Sequence, residues 1–264
     1  MNEYQLLGVE RDDDLLWVTL DNPAKANALS PAMAAELRAL YRHDWRADGV
    51  RAILLRGEGK HFCAGADLEH LVSLRDAGPE DNRRDSAAMK ELFAAILYQP
   101  ALTVALVHGS CVAGGCGIAT ACDYVIGTAD SRYLYSEVRI GFVAALVATF
   151  LPLRLRGRDL RELLLDPQFI DAGKAYDIGL INRIVPDGGE TLWGAGRELA
   201  AGLLERASSE SIARTKGLLL EALGRPLEEA MERAAEVNAA SRATEDCRHG
   251  IATFLATKKP PVWR

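Results

Sequence analysis

Twice in this chain an unbroken apolar run passes into a loop of small residues and then into a helical stretch. Arg51–Arg56 (RAILLR) leads into Lys60-His61-Phe62-Cys63-Ala64-Gly65-Ala66-Asp67-Leu68. Leu102–Val107 (LTVALV) leads into His108-Gly109-Ser110-Cys111-Val112-Ala113-Gly114-Gly115-Cys116-Gly117 and then Ile118–Ala121. Short apolar runs bounded by turn residues read as buried strands. Tyr124–Ile126 is strand-like again. Ser30-Pro31 opens a helix with an N-cap hydroxyl and a proline in the first turn. Met33, Leu37, Leu40 and Tyr41 share one face of it. Asp81–Tyr98 is a second amphipathic helix, with Met89, Leu92, Phe93 and Ile96 on its stripe. Strands alternating with helices place the chain in the α/β class.

The start reads as a hairpin of Tyr4–Glu10 and Leu15–Asp21 around the charged turn Arg11–Asp14. From about Gly189 the periodicity is purely helical, over Gly189–Arg206, Ser209–Leu223 and Pro226–Ala240. Gly224 suits the end of one helix and Pro226 the start of the next. We therefore expect a body over residues 1–189 and a helical region over 190–264, either a second small domain or an oligomerisation arm. The apolar stretch Ile140–Leu153 is too short to span a bilayer and is expected in the core.

Of 264 residues, 31 are Lys or Arg and 37 are Asp or Glu, a net charge of −6. That balance speaks against a nucleic-acid or anionic-membrane partner. The N-terminus lacks a basic region followed by an apolar one, so no secretory signal is expected. Five cysteines without a C-x-x-C pair read as reduced, packed thiols of a cytoplasmic protein. The five histidines show no metal-ligand spacing. His61 and His108 flank the small-residue loops, either lining a site or packing there. No dinucleotide, P-loop, zincin or serine-hydrolase motif occurs.

Each loop reads either as a structural turn or as a place that suits an anion. Small residues let the backbone approach a ligand, and N–H groups at a helix start point outward. Asp67 reads as the N-cap of the helix that follows. In Tyr135-Ser136-Glu137-Val138-Arg139-Ile140-Gly141-Phe142 a carboxylate stands where a short strand meets an apolar segment. Glu137 is either a proton-transfer group with a raised pKa or one partner of an arginine ion pair.

These three segments, in this order, resemble the enoyl-CoA hydratase/isomerase (crotonase) superfamily. So do Asn22-Pro23-Ala24-Lys25-Ala26-Asn27-Ala28-Leu29 and the stretch from Ile170-Asp171-Ala172 through Gly179-Leu180-Ile181-Asn182. The resemblance runs from about Gly8 to the C-terminus. It implies a spiral of ββα turns followed by helices that assemble trimers or dimers of trimers. It implies an acyl-CoA thioester as substrate, with CoA belonging to the substrate and no separate cofactor or metal. The oxyanion donors would be the N–H groups of Ala66 and Gly114. CoA would lie against Lys25, Ala26, Ala64, Gly65, Asp67 and Leu68, with Lys258 or Lys259 as further cations. Gly115 and Gly117 would border the acyl group.

Glu137 matches the second of the two catalytic glutamates of the family's hydratases. The first falls on Gly117, so a two-carboxylate grip on water is missing. The resemblance leaves a vacancy there for water or for a branched or carboxylated acyl chain. One-glutamate relatives of two kinds are similar: Δ3,Δ2-enoyl-CoA isomerases, and hydratases of 3-methylglutaconyl-CoA and related substrates. The strings Gly115-Cys116-Gly117 and Ser136–Gly141 favour hydratase, although Ala144 stands where such hydratases carry proline. A catalytically silent acyl-CoA-binding or scaffold protein is the rival reading.

Overall fold

The computed structural model describes residues 4–75 and 77–263. Its opening hairpin is tighter than the charges suggested. β1 (Leu7–Asp12) and β2 (Leu15–Leu20) pair antiparallel with Asp12 opposite Leu15, so only Asp13 and Asp14 form the turn. Asp13 takes the left-handed conformation at φ 55°, which aspartate tolerates better than most side chains. Next comes α1 (Pro31–Arg42), capped by Ser30 Oγ, which accepts the Met33 N–H at 3.2 Å. Its expected apolar face (Met33, Leu37, Leu40, Tyr41) is fully buried.

β3 (Ala52–Gly57), α2 (Leu68–Arg75), α3 (Pro79–Leu97) and β4 (Leu102–Val107) follow. Then come β5 (Ser110–Val112), α4 (Gly114–Ala121), β6 (Tyr124–Thr128) and β7 (Arg132–Leu134). After these lie α5 (Val147–Phe150), α6 (Gly157–Leu165), β8 (Ile170–Asp171), α7 (Ala172–Asp177) and β9 (Arg183–Val185). The larger sheet has the order β1-β2-β3-β4-β6-β9 and is parallel after the first hairpin. A small sheet, β5-β7-β8, stands beside it. The chain thus repeatedly crosses the large sheet, turns into the small one and returns through a helix.

This layering explains the unbroken apolar runs. Successive side chains of a strand point to opposite faces, and a parallel sheet is covered on both. Leu16, Val18, Leu20, Ile53, Leu55, Ala105 and Val107 join a core with α1, α3 and α4. Leu15, Trp17, Ala52, Leu54, Val104 and Leu106 face the other way, against α8 (Gly189–Arg206). α8 lies close: a Cβ on Gly196 would stand 2.7 Å from Leu106 Cδ2. The break expected at 189/190 therefore falls at the start of a helix that completes the body.

The helices that leave the body are α9 (Ser209–Ala222), α10 (Leu227–Ser241) and α11 (Glu245–Thr257). The last was not read from the sequence; Thr244 caps it by accepting the Cys247 N–H at 3.2 Å. Lys216 anchors α9 to the body. Its Nζ donates to the carbonyls of Gln99 and Ala101 (both 2.7 Å) and pairs with Asp123 at 2.6 Å. None of the three helices has a fully buried residue, and Leu219, Leu227, Met231, Phe254 and Leu255 are exposed. The segment Ile140–Leu153 also departs from expectation. Val147, Phe150 and Leu151 are buried, but Ile140, Phe142 and Val143 are exposed, because the 3₁₀ turn at Glu137–Ile140 carries them over the surface. Among the described residues no helix is long and apolar enough to cross a membrane.

Candidate active site

Backbone pairing brings the two small-residue loops together. Cys63 bridges Cys111: its N–H donates to Ser110 O (3.3 Å) and its carbonyl accepts from Val112 N (3.0 Å). On the other side the loop pairs with the Asn22–Leu29 segment. Ala64 N–H donates to Ala26 O (2.9 Å) and Leu29 N–H to Gly65 O (2.7 Å). Gly65 has φ +89°, and a Cβ there would meet Val112 O at 2.8 Å. A Cβ on Gly115 would meet Cys63 O at 2.6 Å. Only glycine permits these approaches, so Gly65 and Gly115 serve as joints between the loops.

Ala66 and Gly114 both border Leu29. Ala66 forms an isolated bridge with it, and a Cβ on Gly114 would lie 3.1 Å from Leu29 Cδ1. Gly114 opens α4, where first-turn N–H groups lack an intrahelical acceptor. Neither the Ala66 nor the Gly114 N–H donates to a loop or turn carbonyl among the described residues. The preceding Ala113 has φ 48° and ψ −118°, a conformation normally left to glycine. Such strain costs on the order of 1–3 kcal/mol and gathers at functional sites. Ala113 is held there by its N–H bond to Leu134 O at 2.7 Å.

That same bond places Glu137. β7 runs beside β5, with Leu134 opposite Val112, and Glu137 follows three residues later. No arginine pairs with it among the described residues; its Oε2 is buried and unpartnered. Burial raises the carboxyl above its ordinary range, and the N–H groups of Glu137 and Ser136 offset this in part. A carboxyl so placed gives and takes protons closer to neutrality. Farther on, Val147 of α5 comes up against Gly117 of α4.

Gly117 offers no vacancy. A Cβ built on it would stand 2.7 Å from Cε1 and Cζ of Phe93 and 3.0 Å from Cγ1 of Val147. The Phe93 ring is itself backed by Phe150, centroids 5.7 Å apart. Ala144 lies at the margin of this cluster and its carbonyl accepts from Ala148 N at 3.1 Å.

Lys25 is not a free cation. Its Nζ bonds Asp67 Oδ2 (3.2 Å) and Glu69 Oε2 (2.8 Å). Asp67 also caps α2 as expected, its Oδ1 accepting from Glu69 N (2.9 Å) and His70 N (3.2 Å). The His70 N–H first, and Lys25 next, hold Asp67 below the usual carboxylate range. The side chain of Leu68 lies outside the described residues. Lys258 and Lys259 are exposed just beyond α11.

His61 and His108 tie the loops: Nδ1 of His61 accepts from Ser110 N (3.2 Å), and Nε2 of His108 lies 2.9 Å from Gly59 O. Burial pushes the Cys63 thiol up to about 12, which leaves it packed rather than nucleophilic. No group of three or more potential metal ligands occurs among the described residues. Two organising residues escaped the sequence reading. Asn27 is fully buried, and its Nδ2 reaches the carbonyls of Glu58, His61 and Phe62 at 2.9, 2.9 and 3.2 Å. Arg154 holds the far end of α4, donating to the carbonyls of Thr120 (2.9 Å) and Cys122. Asn27 lay within a quoted motif. Arg154 was visible only as the flank of an apolar run, since nothing local shows what a buried guanidinium will meet.

Residues 10–264 match the family model described as enoyl-CoA hydratase/isomerase. A Thermus thermophilus protein named "Putative enoyl-CoA hydratase" is 42% identical over 92% of this chain and 95% of its own length. A mitochondrial Delta(3,5)-Delta(2,4)-dienoyl-CoA isomerase of Dictyostelium discoideum is 27% identical, over 98% of this chain and 92% of its own. The crystal structure of an enoyl-CoA hydratase from Mycobacterium smegmatis superposes with a TM-score of 0.88 at 28% identity, over 98% of this chain and 99% of that one. Paired small-residue loops on a spiral of sheet and helix, and a match across nearly the whole length, agree: the chain belongs to the enoyl-CoA hydratase/isomerase family, the crotonase superfamily.

Proposed function

We propose that the chain is an enoyl-CoA hydratase that works through one carboxylate, Glu137. The observation that carries this reading is the buried, unpartnered Oε2 of Glu137, three residues beyond Leu134, whose carbonyl accepts the N–H of the strained Ala113. The thioester carbonyl oxygen accepts from the N–H groups of Ala66 and Gly114. These donors, and the positive end of α4, stabilise the enolate as charge moves onto that oxygen. Each such donor commonly contributes roughly 2.7–4 kcal/mol. The Glu137 carboxylate takes a proton from water as the water oxygen bonds to C3. The electron pair of the C2=C3 bond moves into the enolate. Glu137 then returns the proton to C2 as the carbonyl re-forms. CoA enters as part of the substrate, along Ala26, Ala64, Gly65, Asp67 and Leu68. Its phosphates compete with Asp67 and Glu69 for Lys25, so Lys25 both tethers the loop and faces the ligand.

A second reading is a double-bond shift, in which Glu137 takes a proton from C2 of a 3-enoyl-CoA and delivers it to C4. The apolar wall of Phe93 and Val147 at Gly117 favours it, since that side offers nothing to bind water. Turnover in D₂O separates the readings. The hydratase yields 3-hydroxyacyl-CoA with deuterium at C2. The isomerase yields the 2-enoyl product without added water. Absence of both products over a range of chain lengths would leave a silent acyl-CoA binder.

The reading includes self-association as a trimer or a pair of trimers. The exposed Leu219, Leu227, Met231, Phe254 and Leu255 leave apolar area on α9–α11 for neighbouring subunits to cover. Light scattering at micromolar concentration is expected to give three or six chain masses. A monomer would overturn this part of the reading.

A further inference from the structure

We infer that Phe93 is a specificity-determining residue, closing the acyl site beside C3 and C4 so that it takes straight chains and rejects a branch at C3. The inference rests on the reading above that the thioester carbonyl sits at Gly114.

Gly114 and Gly117 are three residues apart on α4 and lie on one face, one turn from each other. Met89 and Phe93 are four apart on α3 and share a face as well. The two faces meet in register. Met89 Cε lies 4.0 Å from where a Gly114 Cβ would be, and the Phe93 ring edge 2.7 Å from where a Gly117 Cβ would be. A thioester bound through its carbonyl at Gly114 has its next carbons within one helical turn. That is the level at which the ring stands.

The ring is also fixed. Phe150 packs on it at 5.7 Å and Val147 closes the side of Gly117, while Phe93 itself is only 5% exposed. A buried ring packed against Phe150 does not swing away to admit a substituent, because packed interiors have little free volume. The space that Gly117 appears to open is therefore closed by a side chain from another helix. An unbranched enoyl group fits with one edge toward such a wall. A second substituent at C3 lies in the plane of the double bond and collides with the ring at that edge. A single methylene misplaced in an apolar pocket changes discrimination by roughly 10–200-fold.

The test measures binding and needs no turnover. Butanoyl-CoA and 3-methylbutanoyl-CoA are titrated against the full chain by calorimetry, for the wild type, Phe93→Leu and Phe93→Ala. The wild type is expected to favour butanoyl-CoA at least 10-fold. Phe93→Ala should lower that ratio at least 10-fold, chiefly by tightening the branched ligand, with Phe93→Leu in between. A merely structural residue would alter melting without altering the ratio. Equal binding of both ligands by the wild type would overturn the inference. So would an unchanged ratio in a Phe93→Ala protein that still melts cooperatively. Should Phe93→Ala fail to fold, Phe93→Leu decides, with a shift of about threefold expected and an unchanged ratio counting against the inference. If the wild type binds neither thioester, the acyl-CoA reading fails and the inference falls with it. If it binds both with the expected preference but turns over no enoyl-CoA, only the proposed chemistry fails and the wall stands.

Discussion

Glu137→Gln is expected to fold, to bind acyl-CoA, and to turn it over about 10²–10⁴-fold more slowly, the usual share of a positioned acid/base group. The amide is nearly isosteric with the carboxyl, so binding and melting control for the fold. The pH profile supplies a second readout. Burial raises the Glu137 pKa, so the limb in kcat/KM set by its deprotonation lies above the ordinary carboxylate range. The glutamine variant should lose that limb. The sign of the stability effect follows from the same shift. A carboxyl with a raised folded-state pKa stabilises the fold fully below its unfolded value. That contribution is lost as pH rises through the folded value. Above that window Glu137→Gln should therefore melt no lower than the wild type. A variant with unchanged turnover would remove Glu137 from the chemistry.

Replacing Gly65 with alanine tests the proposed oxyanion site from its structural side. The new Cβ would stand 2.8 Å from Val112 O and 3.1 Å from Ala113 Cβ, on a backbone with φ +89°. The two loops must separate, and the Ala66 and Gly114 N–H groups diverge with them. Loss of one aligned donor costs about 10²–10³-fold in kcat. Stability should fall as well, since the clash is with backbone. Gly224→Ala is the control: its φ of +75° is comparable, but nothing lies within 4 Å of the added carbon. It should show the conformational cost in melting and leave kcat unchanged. Equal activity of Gly65→Ala and wild type would dissociate this loop contact from catalysis.

Much of this protein is determined along the chain itself. Ser30-Pro31 starts a helix because a hydroxyl and a proline solve the problem of unpaired N–H groups within a few residues. Asp67 caps α2 for the same reason. The runs LTVALV and RAILLR are strands because their apolar side chains need cover on two faces. The close approaches at Gly65 and Gly115 were legible because glycine in a loop after a strand permits them.

What lies between elements was decided only by the tertiary structure. Whether Glu137 pairs with an arginine depends on the path of β7, and among the described residues no arginine pairs with it and its Oε2 has no partner. Lys25 reads as a free cation in one dimension, but folding sets it between Asp67 and Glu69. The apparent gap at Gly117 is filled by Phe93, 24 residues earlier in the chain, because α3 and α4 pack face to face. Local sequence carries the hydrogen-bonding and conformational preferences of each segment. The contents of a space next to a glycine belong to whichever distant side chain packs there, and that is a property of the assembled fold.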